Sequence, residues 1–233
     1  DLMQDRAFDP RRRTALHAMT AAAAVAGTGG ALAQGYPDKP ITLYCPWTAG
    51  GNSDIALRVL ADVASRSLPR RMVVENKPGV GGAMGAMHMA QTAKPDGYTI
   101  SQTPLGVFRV PFMAKTTFDP LVDLSWILCV AGYHFGVTVR NDAPWKTWQE
   151  FIAFAKANPG KVVYSSPGIG TSLHLTMEDI AEREGITWTH VPYKGTTEST
   201  AAVRGGQAHA VAGTPAWELV RSEEHTSELQ SRL

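Results

Sequence analysis

The sequence has little of several features that would identify its chemistry. It contains only two cysteines, Cys45 and Cys129, in 233 residues. Two cysteines are too few for a disulfide scaffold or for a zinc site built from cysteine clusters. The formal net charge is +1, so the strongly basic surface typical of nucleic-acid-binding proteins is missing. No apolar run reaches about 18 residues, which argues against a membrane-spanning helix.

Sequence motifs for catalysis are missing as well. There is no phosphate-binding G-x-x-x-x-G-K-[ST] motif, no G-x-S-x-G motif and no H-E-x-x-H motif. The pattern G-x-G-x-x-G begins at Gly79 and Gly81 but ends on Met84, so it fails. We therefore expect no catalytic residues, no metal site and no cofactor.

The first 33 residues are interpreted as a secretory signal peptide. Basic residues 11–13 precede an apolar, alanine-rich stretch that ends in small residues at 31–33. The alternative is a buried alanine-rich helix, which the glycines of this stretch disfavour. Export through the Sec or the twin-arginine route would place the protein in the periplasm. The first residue is Asp, so the true start codon stays open.

The C-terminal residues 221–233 are interpreted as a translated sequencing adapter. Eleven successive residues, 221–231, match the translation of such an adapter. The alternative is a natural polar tail. On the adapter interpretation Val220 is the last native residue, the native sequence beyond it is unknown, and the gene product is truncated at its C-terminus.

Strand and helix patterns alternate through the middle of the chain, which predicts an α/β fold with parallel sheets. Asn52 or Ser53 is expected to cap the first helix, and Thr147 with Glu150 forms a capping box. Strands are expected at 41–45, 72–74, 98–100, 126–130, 135–139, 162–165, 188–191 and 208–212, and helices at 53–67, 83–93, 147–157, 172–184 and 197–204.

Two strand-to-helix loops share one design. Residues 46–54 and residues 165–172 each place glycines and small hydroxyl residues just before a helix. Free N–H groups and the positive end of the helix dipole favour an anion there, and glycine allows close approach. The alternative is ordinary helix capping without a ligand.

Motifs along residues 36–220 resemble the solute-binding proteins of tripartite tricarboxylate transporters, the Bug family. They lie in order at 36–41, 46–58, 74–82, 95–99, 158–161, 168–175 and 190–195. Cys45 departs from the aliphatic residue usual in the family. His209 stands where the family usually has Asp, which puts any role of that carboxylate in doubt.

The resemblance implies an incomplete bilobal periplasmic binding protein fold of the type II kind. Lobe 1 would span residues 34–138 and lobe 2 residues 139–220. The protein would be a monomeric, non-enzymatic receptor that captures a small carboxylate and delivers it to a membrane permease, without a nucleic-acid partner. Two alternatives stay open: an enzyme acting on a small carboxylate on the same fold, and a periplasmic sensor subunit.

The resemblance also makes the two glycine loops the walls of the carboxylate site. Backbone N–H groups and hydroxyls would hold the ligand, and no arginine is expected to be needed. Asp54 would favour the helix dipole or receive a polar ligand group, and His174 would contact the ligand or only brace its loop. The expected ligand-binding residues are Thr48, Ala49, Gly50, Gly51, Asp54, Thr103, Gly168, Gly170, Thr171, Ser172 and His174. The identity of the carboxylate and the pairing of Cys45 with Cys129 are left open.

Overall fold

The computed structural model describes residues 35–116, 118–132 and 134–214. By its internal contacts the chain divides into two units, Asp1–Asp38 and Lys39–Leu233. In the first unit only residues 35–38 are described, and they form no helix or strand. The expected signal peptide at 1–33 and the adapter-like tail at 221–233 lie outside the described residues. All elements named below belong to the second unit.

Three short parallel strands form the first sheet. Strand β1 (Ile41–Cys45) lies in the middle, between β2 (Met72–Asn76) and β3 (Thr99–Ser101). The register pairs Ile41 with Met72 and Thr42 with Thr99, so the carboxyl ends of all three strands lie on one edge. These strands were expected from the sequence, and their existence is confirmed.

Helix α1 (Asn52–Ser65) packs against β1 and β2 through one face. Its buried residues Asp54, Leu57 and Ala61 recur at helical spacing, and Leu57 packs with Leu43 of β1. The residue that caps the helix is Gly51, which has no side chain to accept a hydrogen bond. The expected capping by Asn52 or Ser53 is therefore wrong. The second helix, α2 (Met84–Thr92), presents mainly small residues to the sheet.

The segment after β3 has only short helical turns. A 3-10 turn at Leu105–Phe108 leads into the four-residue helix α3 (Val110–Met113), and an earlier 3-10 turn covers Val80–Gly82. The strand expected at 126–130 is wrong, because these residues are irregular and exposed, with Ile127 at 73% exposure. Local β preference does not make a strand unless a neighbouring strand pairs with it.

The second sheet has four strands in the order β4-β7-β5-β6. Strand β5 is parallel to both β6 and β7, whereas β4 is antiparallel to β7. The expectation of purely parallel sheets therefore fails at β4. The strands are β4 (Gly136–Val139), β5 (Val163–Ser166), β6 (Thr189–Pro192) and β7 (Ala210–Gly213). The expected lobe boundary at 138/139 falls inside β4 and stays a prediction.

Three helices cover the second sheet: α4 (Trp148–Ala157), α5 (Ser172–Glu184) and α6 (Thr196–Arg204). The capping box of α4 is confirmed at Thr147, whose hydroxyl accepts the N–H of Glu150. In turn the Glu150 carboxylate accepts the N–H of Lys146, one residue before the cap. Helix α5 has the expected bounds, because Gly185 ends it in the left-handed conformation at φ +66°.

The largest hydrophobic core lies in this second part of the chain. Aromatic side chains of Trp145, Phe151, Tyr164 and Trp188 pack there around Met177, which is fully buried. None of the helices in the described ranges is long and apolar enough to cross a membrane. Within the same ranges Cys45 is buried, Cys129 is exposed, and neither forms a disulfide.

Candidate functional site

The first glycine loop joins β1 to α1 and contains four of the expected ligand residues: Thr48, Ala49, Gly50 and Gly51. Ala49 and Gly50 are exposed, and Gly50 adopts φ +80°, which favours glycine. Thr48 packs directly against Gly195 at the start of α6. Its Oγ1 is buried and has no hydrogen-bond partner within the described part of the chain. The loop therefore meets the second part of the molecule at the N-terminus of α6.

The Asp54 side chain is used to brace this loop. One carboxylate oxygen accepts the N–H of Gly50 at 2.9 Å and Nε of Arg58 at 3.0 Å, and the other accepts Nδ2 of Asn76 at 2.8 Å. Burial alone would raise the pKa of Asp54, but hydrogen bonds from Arg58, Gly50 and Asn76 hold it below its usual value. The carboxylate is thus charged and already occupied by protein donors.

The second glycine loop joins β5 to α5. The Thr171 hydroxyl donates to the carbonyl of Gly168 at 2.8 Å and accepts the N–H of His174 at 3.2 Å. Thr171 is therefore the N-cap of α5, and the proton of its hydroxyl is already donated within the loop. His174 also accepts the N–H of Gly170 at 3.3 Å through Nδ1, so it braces the loop. Ser172 is the first helical residue, and capping does not require its hydroxyl.

A network of polar and aromatic side chains packs next to this loop. His190 stacks between His174 and Tyr164, with ring centroids 4.3 and 4.7 Å away, and its Nε2 lies 2.7 Å from Ser166 Oγ. The Tyr164 hydroxyl donates to Glu178 at 2.6 Å. Burial, with a smaller contribution from His174, lowers the pKa of His190 to about 4, so this imidazole is neutral near pH 7. Burial and the contact with Glu178 raise the pKa of Tyr164.

Residues 79–82 pack directly against the second glycine loop. All four have positive φ, including Val80 at +50°, a rare conformation for a β-branched residue. A Cβ on Gly81 would lie 2.7 Å from the carbonyl oxygen of Ile169, and one on Gly106 would lie 2.8 Å from that of Gly81. The backbones approach so closely that only glycine fits at these two positions. Backbone strain of this kind is often found at ligand sites.

A pocket of about 370 Å³ lies at this meeting of segments. That volume is within the range of small-molecule sites. Its walls come from residues 79–81, from the turns at 106–114, from the second glycine loop at 167–170, and from residues 192–194. No Asp or Glu is among these lining residues of the described chain, whereas Lys194 is. The pocket is therefore a place for a neutral or anionic molecule.

The structure distributes the expected ligand residues unevenly around this pocket. Gly168 and Gly170 line it, and Met113 packs on Gly170. The other nine expected residues are not among the described lining residues: Thr48, Ala49, Gly50, Gly51, Asp54, Thr103, Thr171, Ser172 and His174. The two loops are connected indirectly, because a Cβ on Gly168 would lie 3.6 Å from the carbonyl oxygen of Tyr193, two residues before Gly195. Within the described chain, no cluster of side chains could hold a metal ion.

Sequence reasoning did not single out Arg109, which lies beside the second glycine loop. Its guanidinium donates to the carbonyl of Gly170 at 3.1 Å and to the hydroxyl of Ser172 at 3.1 and 3.2 Å. Gly106, three residues before it, and Val110, the next residue, line the pocket. Arg109 is 61 and 63 residues from its partners along the chain, so no local pattern could have predicted these contacts.

Comparison with known proteins identifies the class of fold first. The chain superimposes on the periplasmic binding protein BugD with a TM-score of 0.70 and 28% identity, covering 80% of this chain and 63% of BugD. It superimposes on Rpa4515 of R. palustris, solved with adipate, with a TM-score of 0.75 and 25% identity, covering 81% and 64% of the two chains. The expected periplasmic binding protein fold is confirmed.

The chain belongs to the tripartite tricarboxylate transporter family of receptors: residues 56–225 match the model described as TctC, Tripartite tricarboxylate transporter family receptor. This is a family of binding proteins and not of enzymes. A Cupriavidus necator protein, called UPF0065 protein in gbd 5'region, is 50% identical over 206 residues, or 88% of this chain and 63% of that protein. The chain thus spans less than two thirds of the length of these relatives.

Proposed function

We propose that this chain is part of a periplasmic receptor that captures a small carboxylate between its two α/β lobes. The observation that carries the proposal is the pocket at the second glycine loop. Its lining has no acidic side chain in the described residues and includes Lys194, and one lining residue, Gly170, accepts a hydrogen bond from the guanidinium of Arg109. Membership of a receptor family supports binding without turnover.

The second glycine loop would hold the carboxylate. The first N–H groups of α5 have no acceptor within the helix, and they carry the positive end of its dipole. Gly170, at φ +74°, allows the ligand to approach the backbone at the point where Arg109 and Ser172 also meet. Aliphatic side chains of Val80, Val110 and Met113 would contact the carbon chain of the ligand.

The first glycine loop does not line the pocket, and we propose that it would add a second wall to the site when the lobes close around a ligand. Thr48 Oγ1 is buried without a partner among the described residues, so it has hydrogen-bonding capacity to offer. The Asp54 network fixes the loop at Gly50 and leaves the amides of later residues at the start of α1 unpaired within the helix. We keep Thr48, Ala49, Gly50, Gly51 and, more peripherally, Thr103 as ligand-binding proposals. On this account Asp54, Thr171 and His174 position the loops.

Ligand delivery requires opening and closing of the lobes, which we propose to be residues 34–138 and 139–220. Contacts to both walls would favour the closed form by the difference in ligand affinity between the two forms. A membrane permease would then accept the carboxylate, and the receptor would act as a monomer. Relatives such as BugD are periplasmic binding proteins, which supports a periplasmic location after Sec or twin-arginine export.

Isothermal titration with mono-, di- and tricarboxylates tests the proposal. Adipate is a suitable first probe, because the R. palustris relative was solved with it. We expect saturable binding of at least one of these carboxylates, and recovery of the ligand unchanged after incubation. Absence of binding across the series would contradict a carboxylate receptor, and chemical conversion of the ligand would contradict a non-enzymatic one.

A further inference from the structure

Arg109 connects the two parts of the molecule through its guanidinium. It lies between the turn at Leu105–Phe108 and helix α3, on the side of the first sheet. Its acceptors, Gly170 and Ser172, lie at the start of α5 on the side of the second sheet. The three hydrogen bonds, of 3.1 to 3.2 Å, have good donor–acceptor distances.

The positive charge of Arg109 is not balanced by a carboxylate within the described residues. The ion pairs found there use other arginines, namely Arg58, Arg66, Arg140 and Arg183. Arg109 instead donates to a carbonyl and a hydroxyl, which are neutral acceptors. One of these acceptors, Gly170, lines a pocket that has no acidic lining residue in the described chain, so no carboxylate of that lining competes for the charge.

The same contacts determine what the Ser172 hydroxyl can do. A hydroxyl has one proton to donate and two lone pairs to accept with. Both terminal nitrogens of Arg109 donate to Ser172 Oγ, so its lone pairs are occupied and its proton stays available for an acceptor. Thr171 already caps α5, so the serine hydroxyl is not needed by the helix.

We infer that Arg109 determines specificity at this site by making it select a charged carboxylate over a neutral group of the same shape. The guanidinium supplies the charge, and by occupying the Ser172 lone pairs it turns that hydroxyl toward the ligand as a donor. This inference rests on the proposed function. It revises the expectation from the sequence that the carboxylate is held without an arginine.

Titrating adipate and its neutral diamide, adipamide, into the full chain and its variants tests the inference. The wild-type chain should bind adipate more tightly than adipamide. Arg109→Gln should weaken adipate binding by about tenfold or more and leave adipamide binding nearly unchanged, since a charge-assisted hydrogen bond is lost. Arg109→Lys, which keeps the charge but not the planar fork, should restore part of the preference. Arg66→Gln is the matched control, because Arg66 is exposed at the C-terminal end of α1 and pairs with the nearby Asp62.

The outcomes separate this inference from the proposed function. If the wild-type chain binds neither adipate nor the other carboxylates of the series, the proposed function is wrong. If it binds adipate and Arg109→Gln keeps the full preference over adipamide, the receptor proposal stands and the role of Arg109 is refuted. Equal loss of both ligands in Arg109→Gln and Arg109→Lys would make Arg109 a structural contact only and would also overturn the inference.

Discussion

Replacing Gly106 by alanine would insert one methyl group where three chain segments meet. The new Cβ would lie 2.8 Å from the carbonyl oxygen of Gly81 and 4.0 Å from that of Gly170. Contacts of a Cβ under 3.0 Å essentially never occur, so the backbone around Gly81, which lines the pocket, has to shift. Overpacking of this kind costs about 1–3 kcal/mol. We expect Gly106→Ala to lower the free energy of unfolding by that amount and to weaken carboxylate binding.

Gly132→Ala is the matched control for this change. Gly132 is exposed, and a Cβ added there would meet no atom within 4 Å. Its effect on stability should therefore stay within about 0.5 kcal/mol. Urea denaturation measures both variants, and titration with adipate measures the site. If Gly106→Ala matched Gly132→Ala in both assays, the close packing of the pocket walls would be refuted.

Three further predictions concern the loops and their support. Ser172→Ala should weaken carboxylate binding about tenfold with little loss of stability, whereas Thr171→Ala should lower stability by about 1 kcal/mol through loss of the cap. Titration measures the first effect and urea denaturation the second. A Ser172→Ala variant that lost stability but kept its affinity would contradict the prediction. Asp54→Asn should lower stability by about 1–2 kcal/mol at pH 7. Because the pKa of Asp54 is lowered in the folded protein, the stability that its carboxylate contributes should be lost as the pH falls below about 4. If the free energy of unfolding of Asp54→Asn fell with acid as steeply as that of the wild type, this assignment would be wrong. The folded pKa of His190 is about 4 and the value in an unfolded chain is 6.5, so stability should fall on acidification between these values. The full difference corresponds to about 3.4 kcal/mol, and because the imidazole is only partly buried we expect roughly 2 kcal/mol of it. The effect should be absent in His190→Asn, and equal slopes in pH-dependent denaturation would count against it.

Local sequence signals were enough to predict most of the regular structure. Helix α5 begins and ends where its pattern predicts, because Thr171 caps one end and Gly185 terminates the other. Helix α4 likewise follows from its capping box at Thr147 and Glu150. These signals act within one turn of chain, so they can be read without knowledge of the fold.

Features that depend on distant parts of the chain could not be predicted. The apolar run at 126–130 has the composition of a strand, yet no strand pairs with it in the described structure. The antiparallel placement of β4 beside β7 depends on a pairing 70 residues or more away along the chain. The candidate site shows the same limit, since the glycines of the second loop were found by pattern and Arg109 was not.

A crystal structure of the chain with adipate tests the central claim most directly. The account predicts a carboxylate in the pocket, with an oxygen within about 3 Å of the backbone nitrogens at the start of α5, the Ser172 hydroxyl and the Arg109 guanidinium. A carboxylate bound elsewhere, or bound in the pocket with no contact from the Ser172 hydroxyl or the Arg109 guanidinium, would contradict the account.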